Sequence, residues 1–413
     1  MKTLLTFLVL ASSLMALGLD EAIERAMANS PLLKIAQGDL SVAQSAEDEA
    51  YAGYHPTLNA SASWRVQDKT TAFSFAPTHY YDLSATYNLF KGFSDSAMID
   101  ARHYEKEAAK LQLDATKADL QLNVISAYSA CIKAHKQFAT QKEEVVSLQK
   151  QYDDTAVRYE QGMVAKNELL LIEVDKLRAE QELFNAQSNI TQSYSRLRQL
   201  LGGKLERDEN VETFNTSTPQ LADFDELLKQ TFKNRSELKA LDLLESSLLS
   251  QRDAVAGSYL PHIDLQANYR INDKKRTLGT ETIQNSEQAT STLNVTWTLY
   301  DGLANMERRK ALLEQSRIQA YQREQLKLDL QYQLRSTYEA FRVAYKTKDV
   351  AYRALQSAKE NYRITTDRHN YGQVSTLTLL KAQADLTHAT NAYNNATYDL
   401  YVSFKAIERI SGN

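Results

Sequence analysis

Two hydrophobic periods alternate along this chain, and the switches between them mark its elements. From Leu58 the apolar residues Leu58, Ala60, Ala62, Trp64 and Val66 alternate with Asn59, Ser61, Ser63 and Arg65. Tyr81, Leu83, Ala85, Tyr87 and Leu89 then alternate with Asp82, Ser84, Thr86 and Asn88. The pattern returns at Ile263, Leu265, Ala267, Tyr269 and Ile271, and again at Leu293, Val295, Trp297 and Leu299. A period of two predicts β-strands with one apolar and one polar face. Each run is about 9–10 residues, the length of a tilted strand that crosses a bilayer. Four such strands are expected.

The remainder reads as helix. Asp20–Ala52 and Asp225–Ala256 form helical stretches, interrupted only by Pro31 and Gly38 in the first. Segments 93–161 and 303–371 each hold 69 residues without a single Gly or Pro, and they are rich in strong helix formers. A continuous helix of that length rises about 100 Å. Leu111, Ala115, Ala118, Leu122, Ile125, Ser129 and Ile132 follow a seven-residue repeat, as the seam of a supercoil would. After Gly162 and Gly372 shorter helices return, Asn167–Leu201 and Thr376–Ile410.

The grammar occurs twice. Leu19-Asp20-Glu21-Ala22-Ile23 matches Phe224-Asp225-Glu226-Leu227-Leu228, and Tyr54-His55-Pro56 matches Tyr259-Leu260-Pro261, both at an offset of 205. Asn88-Leu89-Phe90-Lys91-Gly92 matches Thr298-Leu299-Tyr300-Asp301-Gly302 at 210, as Gly162 matches Gly372. A period near 200 is too long for a solenoid and marks a duplicated supersecondary unit. The expected organisation is a leader over 1–18, a first repeat over 19–202, a linker over 203–223 and a second repeat over 224–413. The extra five residues fall in the inter-strand loop, 67–80 against 272–292, where length is cheap.

Composition and charge narrow the class. With 48 Lys+Arg against 52 Asp+Glu, net charge −4, the chain has no polybasic character and no nucleic-acid partner is expected. One cysteine, Cys131, permits no intrachain disulfide and no thiolate zinc cluster. Its place on an Ala-rich helix fits a small buried residue. No phosphate-cradling glycine loop, zinc-binding HExxH or GxSxG elbow occurs, so neither enzyme nor cofactor is expected. Lys2 followed by the mostly apolar run Leu4–Leu17 reads as a cleavable leader, with small residues Ala16 and Gly18 before Leu19. That run is too short to span a membrane. Trp64, Tyr87, Tyr269 and Trp297 are candidates for the aromatic belt of a membrane interface, and lipid-face filling explains them nearly as well.

The strand count decides the architecture. A sheet in lipid must close on itself, and known single-chain barrels begin at about eight strands. Four cannot close alone; three chains give twelve. The competing reading is a soluble coiled-coil protein with two incidental hairpins, a pore-less periplasmic scaffold or adaptor.

Over its whole length beyond the leader the chain resembles the TolC-type outer-membrane efflux and secretion channels. The resemblance rests on the two Pro-then-strand entries, on Leu89-Phe90-Lys91-Gly92 and Leu299-Tyr300-Asp301-Gly302, and on the two hairpin tips. These are Arg158-Tyr159-Glu160-Gln161-Gly162-Met163-Val164-Ala165-Lys166-Asn167-Glu168-Leu169 and Arg368-His369-Asn370-Tyr371-Gly372-Gln373-Val374-Ser375-Thr376-Leu377. It implies an α+β chain of long helical hairpins and four transmembrane strands, assembled as a homotrimer with a 12-strand β-barrel on a 12-helix α-barrel. It also implies the outer membrane of a Gram-negative bacterium, contact with outer-membrane lipid, a periplasmic adaptor (membrane fusion) protein and an inner-membrane RND-type or ABC transporter. The linker would lie in the family's equatorial girdle. The tips Gly162, Met163, Val164, Gly372, Gln373 and Val374 fall where the family docks its adaptor, although packing of the turn accounts for the apolar ones too.

The family's periplasmic gate is only partly matched. Its acidic tip position falls on Glu168 beside Asn167, and its gating tyrosine on His369. Its gating arginine falls on Val374, and its two ring aspartates on Thr378 and Lys381. An acidic pore ring therefore does not carry over, and a trimer would present three lysines at 381. Glu168 is expected to hold His369, within one chain or across subunits, which would raise the histidine pKa and make the link strongest at mildly acid pH; two solvated residues at a helix end are the equal alternative.

Overall fold

The computed structural model describes residues 17–65, 78–203, 211–214, 221–272, 276–278, 281–283 and 287–412. The leader run before Leu17 lies outside them. So do most of loop 67–80, Lys274, Lys275 and Gly279 of the second loop, and most of the linker with Pro219. The chain divides into two compact units. One takes residues through Ala36 together with Leu113–Ser236 and Lys327–Asn413; the other takes Gln37–Gln112 and Glu237–Leu326.

Helices dominate both repeats. The first runs α1 (Leu19–Asn29), α2 (Pro31–Tyr51), β1 (Thr57–Arg65), β2 (Thr78–Lys91), α3 (Ser94–Glu160) and α4 (Lys166–Leu200). The second runs α5 (Phe224–Asn234), α6 (Ser236–Ala256), β3 (His262–Asn272), β4 (Arg276–Leu278), β5 (Glu281–Ile283), β6 (Glu287–Thr296), α7 (Ala304–Asn370) and α8 (Thr376–Ser411). The long helices are continuous: α3 and α7 are 67 residues each. Among the described residues no helix is long and apolar enough to cross a membrane.

The sheet unit carries the four expected strands in the order β1-β2-β3-β6, all antiparallel. Its register places Ala60 opposite Leu83, Leu83 opposite Tyr269, and Leu265 opposite Leu293. One face is thus apolar across all four strands. That face is the exposed one: Leu58, Trp64, Tyr81, Leu83, Leu293 and Val295 all stand in the open. On the opposite, more shielded face Arg270 pairs with Asp82 at 3.0 Å. A water-soluble sheet has the reverse arrangement, because burying the apolar face is what stabilises it. This sheet is built for an apolar surround.

Three strand details differ from expectation. The second inter-strand loop is not plain coil but holds the short pair β4–β5. A β-bulge at Leu89 shifts the register, so Phe90 rather than Leu89 stands opposite Ile263. And β6 ends at Thr296, leaving Trp297 and Leu299 outside the strand. The pairing stops where β3 begins: Thr296 pairs with His262, the first residue of β3, and Pro261 before it has no N–H to continue the ladder.

The helical unit shows why the opening helix breaks in both repeats. The sequence places a breaker, Pro31, only in the first, yet the second divides as well, at Arg235. Ser30 and Arg235 are extended at ψ 123 and ψ 117, and both are buried. Each break receives the glycine that ends the return helix. A Cβ on Gly202 would sit 2.6 Å from the Asn29 carbonyl oxygen, and one on Gly412 2.9 Å from Asn234 Cβ. Both glycines have positive φ, so backbone conformation and close approach demand glycine together. The Arg235 guanidinium donates to the carbonyl of Arg409, whose own side chain pairs with Asp119 at 2.7 Å. Tertiary contact sets the second break. Gly38, by contrast, lies within unbroken α2.

Buried positions on α3 follow the seven-residue repeat, in a wider band than one seam. Ala115, Ile125, Ser129 and Ile132 of the expected seam are buried, and so are Leu113, Leu120, Ala127, Ala134, Gln141, Leu148 and Thr155 at strict sevens. Two buried stripes mean that α3 packs against more than one helix.

Candidate functional site

Both hairpin tips are built alike, from the same backbone bonds. At the first, Gly162 N–H donates to the Tyr159 carbonyl at 2.9 Å and Met163 N–H to Arg158 at 2.8 Å. At the second, Gly372 N–H donates to His369 at 2.9 Å and Gln373 N–H to Arg368 at 2.9 Å. This is a Schellman ending, which closes the helix carbonyls with a left-handed residue, and φ is +75° at Gly162 and +70° at Gly372. The turn points Met163 outward at 71% exposure, with Gln373 exposed as well, while Val164 and Val374 are half-buried against the turn. Ser375 caps α8 through its hydroxyl.

The gate candidates meet through a residue that the sequence reading passed over. Thr376, buried at the first turn of α8, donates its hydroxyl to Glu168 Oε2 at 3.1 Å. His369 Nε2 lies 3.4 Å from the same hydroxyl. Within one chain Glu168 and His369 therefore meet as a three-membered chain, with Thr376 in the middle. The expected rise in the histidine pKa is reversed. Burial lowers it first, the Arg158 charge lowers it further, and Glu168 only opposes them. A hydroxyl between carboxylate and imidazole lengthens the attraction, so desolvation wins. Asn167 and Lys381 are exposed, apart from this chain of contacts.

Behind it lies a cavity of about 170 Å³ lined by Ser147, Gln151, Asp154, Arg158, His369 and Thr376 among others. At its far side Ser147 donates to Gln383 Oε1 at 3.2 Å, accepts from Gln151 Nε2 at 3.3 Å, and meets the Tyr362 hydroxyl at 3.3 Å. This network ties α3 to α7 and α8. Spacing could have revealed it: Tyr362 stands seven residues before His369, and Gln383 seven after Thr376, on the same helix stripes. Next to it Leu148, Ile172, Ala179 and Leu380 form an apolar core. Glu144 has its pKa raised by burial, against a hydrogen bond from Thr387. The Cys131 thiol is buried and pushed up to about 11, which fits packing rather than reactivity. Among the described residues no cluster could hold a metal.

The four aromatic candidates fall toward the two ends of the sheet. Trp64 and Tyr269 lie toward the loop end, Trp64 opposite His79 and Tyr269 opposite Leu83. Tyr87 and Trp297 lie toward the helix end. Tyr269 donates its hydroxyl to Glu287 at 2.9 Å, and Trp297 Nε1 donates to the Tyr259 carbonyl at 3.0 Å. An exposed ring with a satisfied polar tip suits a membrane interface.

The duplication is also how the chain matches known proteins. The profile of the outer membrane efflux protein family matches residues 22–203 and again 227–413. The chain belongs to this family. No curated protein sequence matches it. Among solved structures it is similar to the CmeC outer membrane channel of Campylobacter jejuni, at 16% identity and a TM-score of 0.83 over 95% of this chain and 85% of that one. VceC of Vibrio cholerae gives 17% identity and 0.77 over 96% of each. MtrE of Neisseria gonorrhoeae in its open state gives 15% and 0.78 over 96% and 89%. At such identities the likeness is one of fold, and it covers nearly the whole chain. Family and fold together make the protein an outer-membrane efflux channel.

Proposed function

We propose that three copies of the chain close a twelve-stranded barrel over a twelve-helix tunnel and serve as the exit duct of an export pump. The observation that carries this reading is the early end of β6. Its repeat image β2 runs to Lys91, five residues beyond the position that matches Thr296, and pairs over that stretch with Leu265–His262 of β3. The image of those β3 residues, at the offset of 205, is Thr57–Ala60 at the free edge of β1. Residues 297–301 thus lack a partner that a second copy carries. The joint beside them is unfinished in the same way. A Cβ on Gly92 would sit 2.1 Å from the Gly257 carbonyl oxygen, whereas Gly302, its image, has nothing within 4 Å. The image of Gly257 is Ala52, again on the first repeat. Open edges in lipid are costly, and closure around three copies removes them.

The helical unit agrees. Val343 and Val350, Tyr345 and Tyr352 on α7, and Leu177 and Phe184 on α4, are exposed at seven-residue spacing. Such stripes suit neighbouring helices of an adjacent copy. The chain has no phosphate loop, so the energy comes from an inner-membrane transporter of RND or ABC type, joined through a periplasmic adaptor at the tips. Exposure of Met163 and Gln373 at both turns favours docking there, and the polar chain Glu168–Thr376–His369 is the part of the gate within one copy.

The test is electrical and cellular. Purified protein in a planar bilayer should conduct, and cells lacking it should retain a fluorescent efflux dye. Protein that never conducts at any pH or voltage would establish the pore-less scaffold instead. Met163→Asp should abolish dye export at normal yield of the assembled protein; unimpaired export would remove the tips as the docking surface.

A further inference from the structure

The chain offers two bonds at which its leader could be removed. Peptidase of the secretory pathway favours small residues one and three places before the cut. Gly18 meets this with Ala16 two residues earlier, which favours the Gly18–Leu19 bond. For the Ala16–Leu17 bond Ala16 meets only the nearer position, with Leu14 at the farther one. The fold distinguishes the two.

Leu17 and Gly18 are structural parts of the helical unit. Leu17 is 0% exposed and pairs in parallel with Val211 of the linker segment. Its carbonyl accepts from Glu212 N–H at 3.0 Å and from the Tyr128 hydroxyl at 2.5 Å. The same hydroxyl lies 2.8 Å from the Glu212 carbonyl oxygen, so fully buried Tyr128 clamps both strands of the bridge. Phe214, two residues on, packs its ring 6.0 Å from Tyr128, 5.6 Å from Tyr398 and 4.7 Å from Tyr401. Gly18 is the extended N-cap of α1, and its carbonyl accepts the first helical bond, from Ala22 N–H at 3.0 Å.

A cut after Gly18 would take away the contacts made by Leu17 and Gly18. Glu212 N–H would lose its acceptor, Tyr128 would keep one carbonyl of two, and Ala22 N–H would lose its partner. Buried groups left without partners are costly. The new ammonium would also sit on the first residue of α1, where the helix dipole already presents positive charge. A cut after Ala16 keeps every one of these contacts.

We propose that the leader is hydrolysed between Ala16 and Leu17, so that the mature chain begins at Leu17 and is pinned to the linker by Tyr128. Water adds across that bond, leaving a carboxylate on Ala16 and an α-ammonium on Leu17. The proposal rests on the reading that the chain is exported behind a cleavable leader, and the experiment separates the two. The full chain is expressed in a Gram-negative host, extracted from the outer membrane in detergent, and its N-terminus read by sequencing and intact mass. A start at Leu17 is the expected result. A start at Leu19 overturns the proposal and leaves the leader reading standing; a start at Met1 overturns both. Two chains cut from the same foreign leader, one beginning at Leu17 and one at Leu19, then test the physical reason. The shorter should melt several degrees lower, and Tyr128→Phe should lower the melting of the longer chain more than that of the shorter. Equal melting of the two starts would mean that Leu17 and Gly18 anchor nothing.

Discussion

At the scale of single residues, the tip shows how one hydroxyl reverses an electrostatic expectation. Facing Glu168 directly, His369 would gain a proton; separated by Thr376 and set beside Arg158, it loses one more readily. The sign follows from linkage. A histidine whose folded pKa lies below its usual value of about 6.5 holds fewer protons folded than unfolded, so the arrangement is intact above that pH and weakens as pH falls through it. Acid should loosen the tip. Open probability in planar bilayers should rise between pH 7.5 and pH 5.5, and His369→Gln should flatten the dependence. A channel that closes on acidification would contradict the assignment. Glycines give a second contrast at this scale. Gly92 and Gly162 both have positive φ, but a Cβ meets the Gly257 backbone at the first and open space at the second. Gly162→Ala should cost only about 1–2 kcal/mol of left-handed strain. Gly92→Ala adds a backbone collision and should cut the yield of folded protein several-fold; equal yields would show that the joint gives way.

At the scale of elements, the two repeats are alike in sequence grammar and unlike in what each finds within one chain. β2 has neighbours on both edges, and β6 has one. Superposing the offsets places Thr298 opposite Asn59 across the missing edge, as Asn88 stands opposite Asp264 within the chain. Facing residues of antiparallel strands have Cα atoms about 4.5–5.5 Å apart, inside the range a disulfide spans. Thr298→Cys with Asn59→Cys, in a chain whose Cys131 is replaced by Ala, should therefore oxidise into dimers and trimers on a denaturing gel. Crosslinks confined to single chains would place the two edges elsewhere.

At the scale of the whole molecule, the sheet and the helices both favour the proposed assembly. The exposed apolar face calls for lipid, the open edges call for more strands, and the exposed heptad stripes on α4 and α7 call for neighbouring helices. Mass measurement in detergent, corrected for the micelle, should give three chains. A monodisperse monomer with full β content would remove the barrel. Gly302→Ala should lower trimer yield more than Gly162→Ala, which carries the same left-handed strain, because only at Gly302 is crowding across the joint expected.

What the sequence settled by itself was whatever depends on neighbours along the chain. Strand alternation, the two 69-residue stretches without Gly or Pro, the tip glycines and the offsets of 205 and 210 are local patterns, and the elements follow them closely. Tertiary structure decided what depends on partners distant in sequence. The break at Arg235 has no local breaker and exists because Gly412 must seat there. The end of β6 falls where β3, its one partner among the described residues, begins, rather than at any change in alternation at Trp297. Thr376 is an ordinary first-turn threonine until the fold brings Glu168 and His369 to opposite sides of its hydroxyl. Periodicity records which face of an element is apolar, since each residue contributes independently. It does not record which donor meets which acceptor, because that is set by the packing of elements hundreds of residues apart.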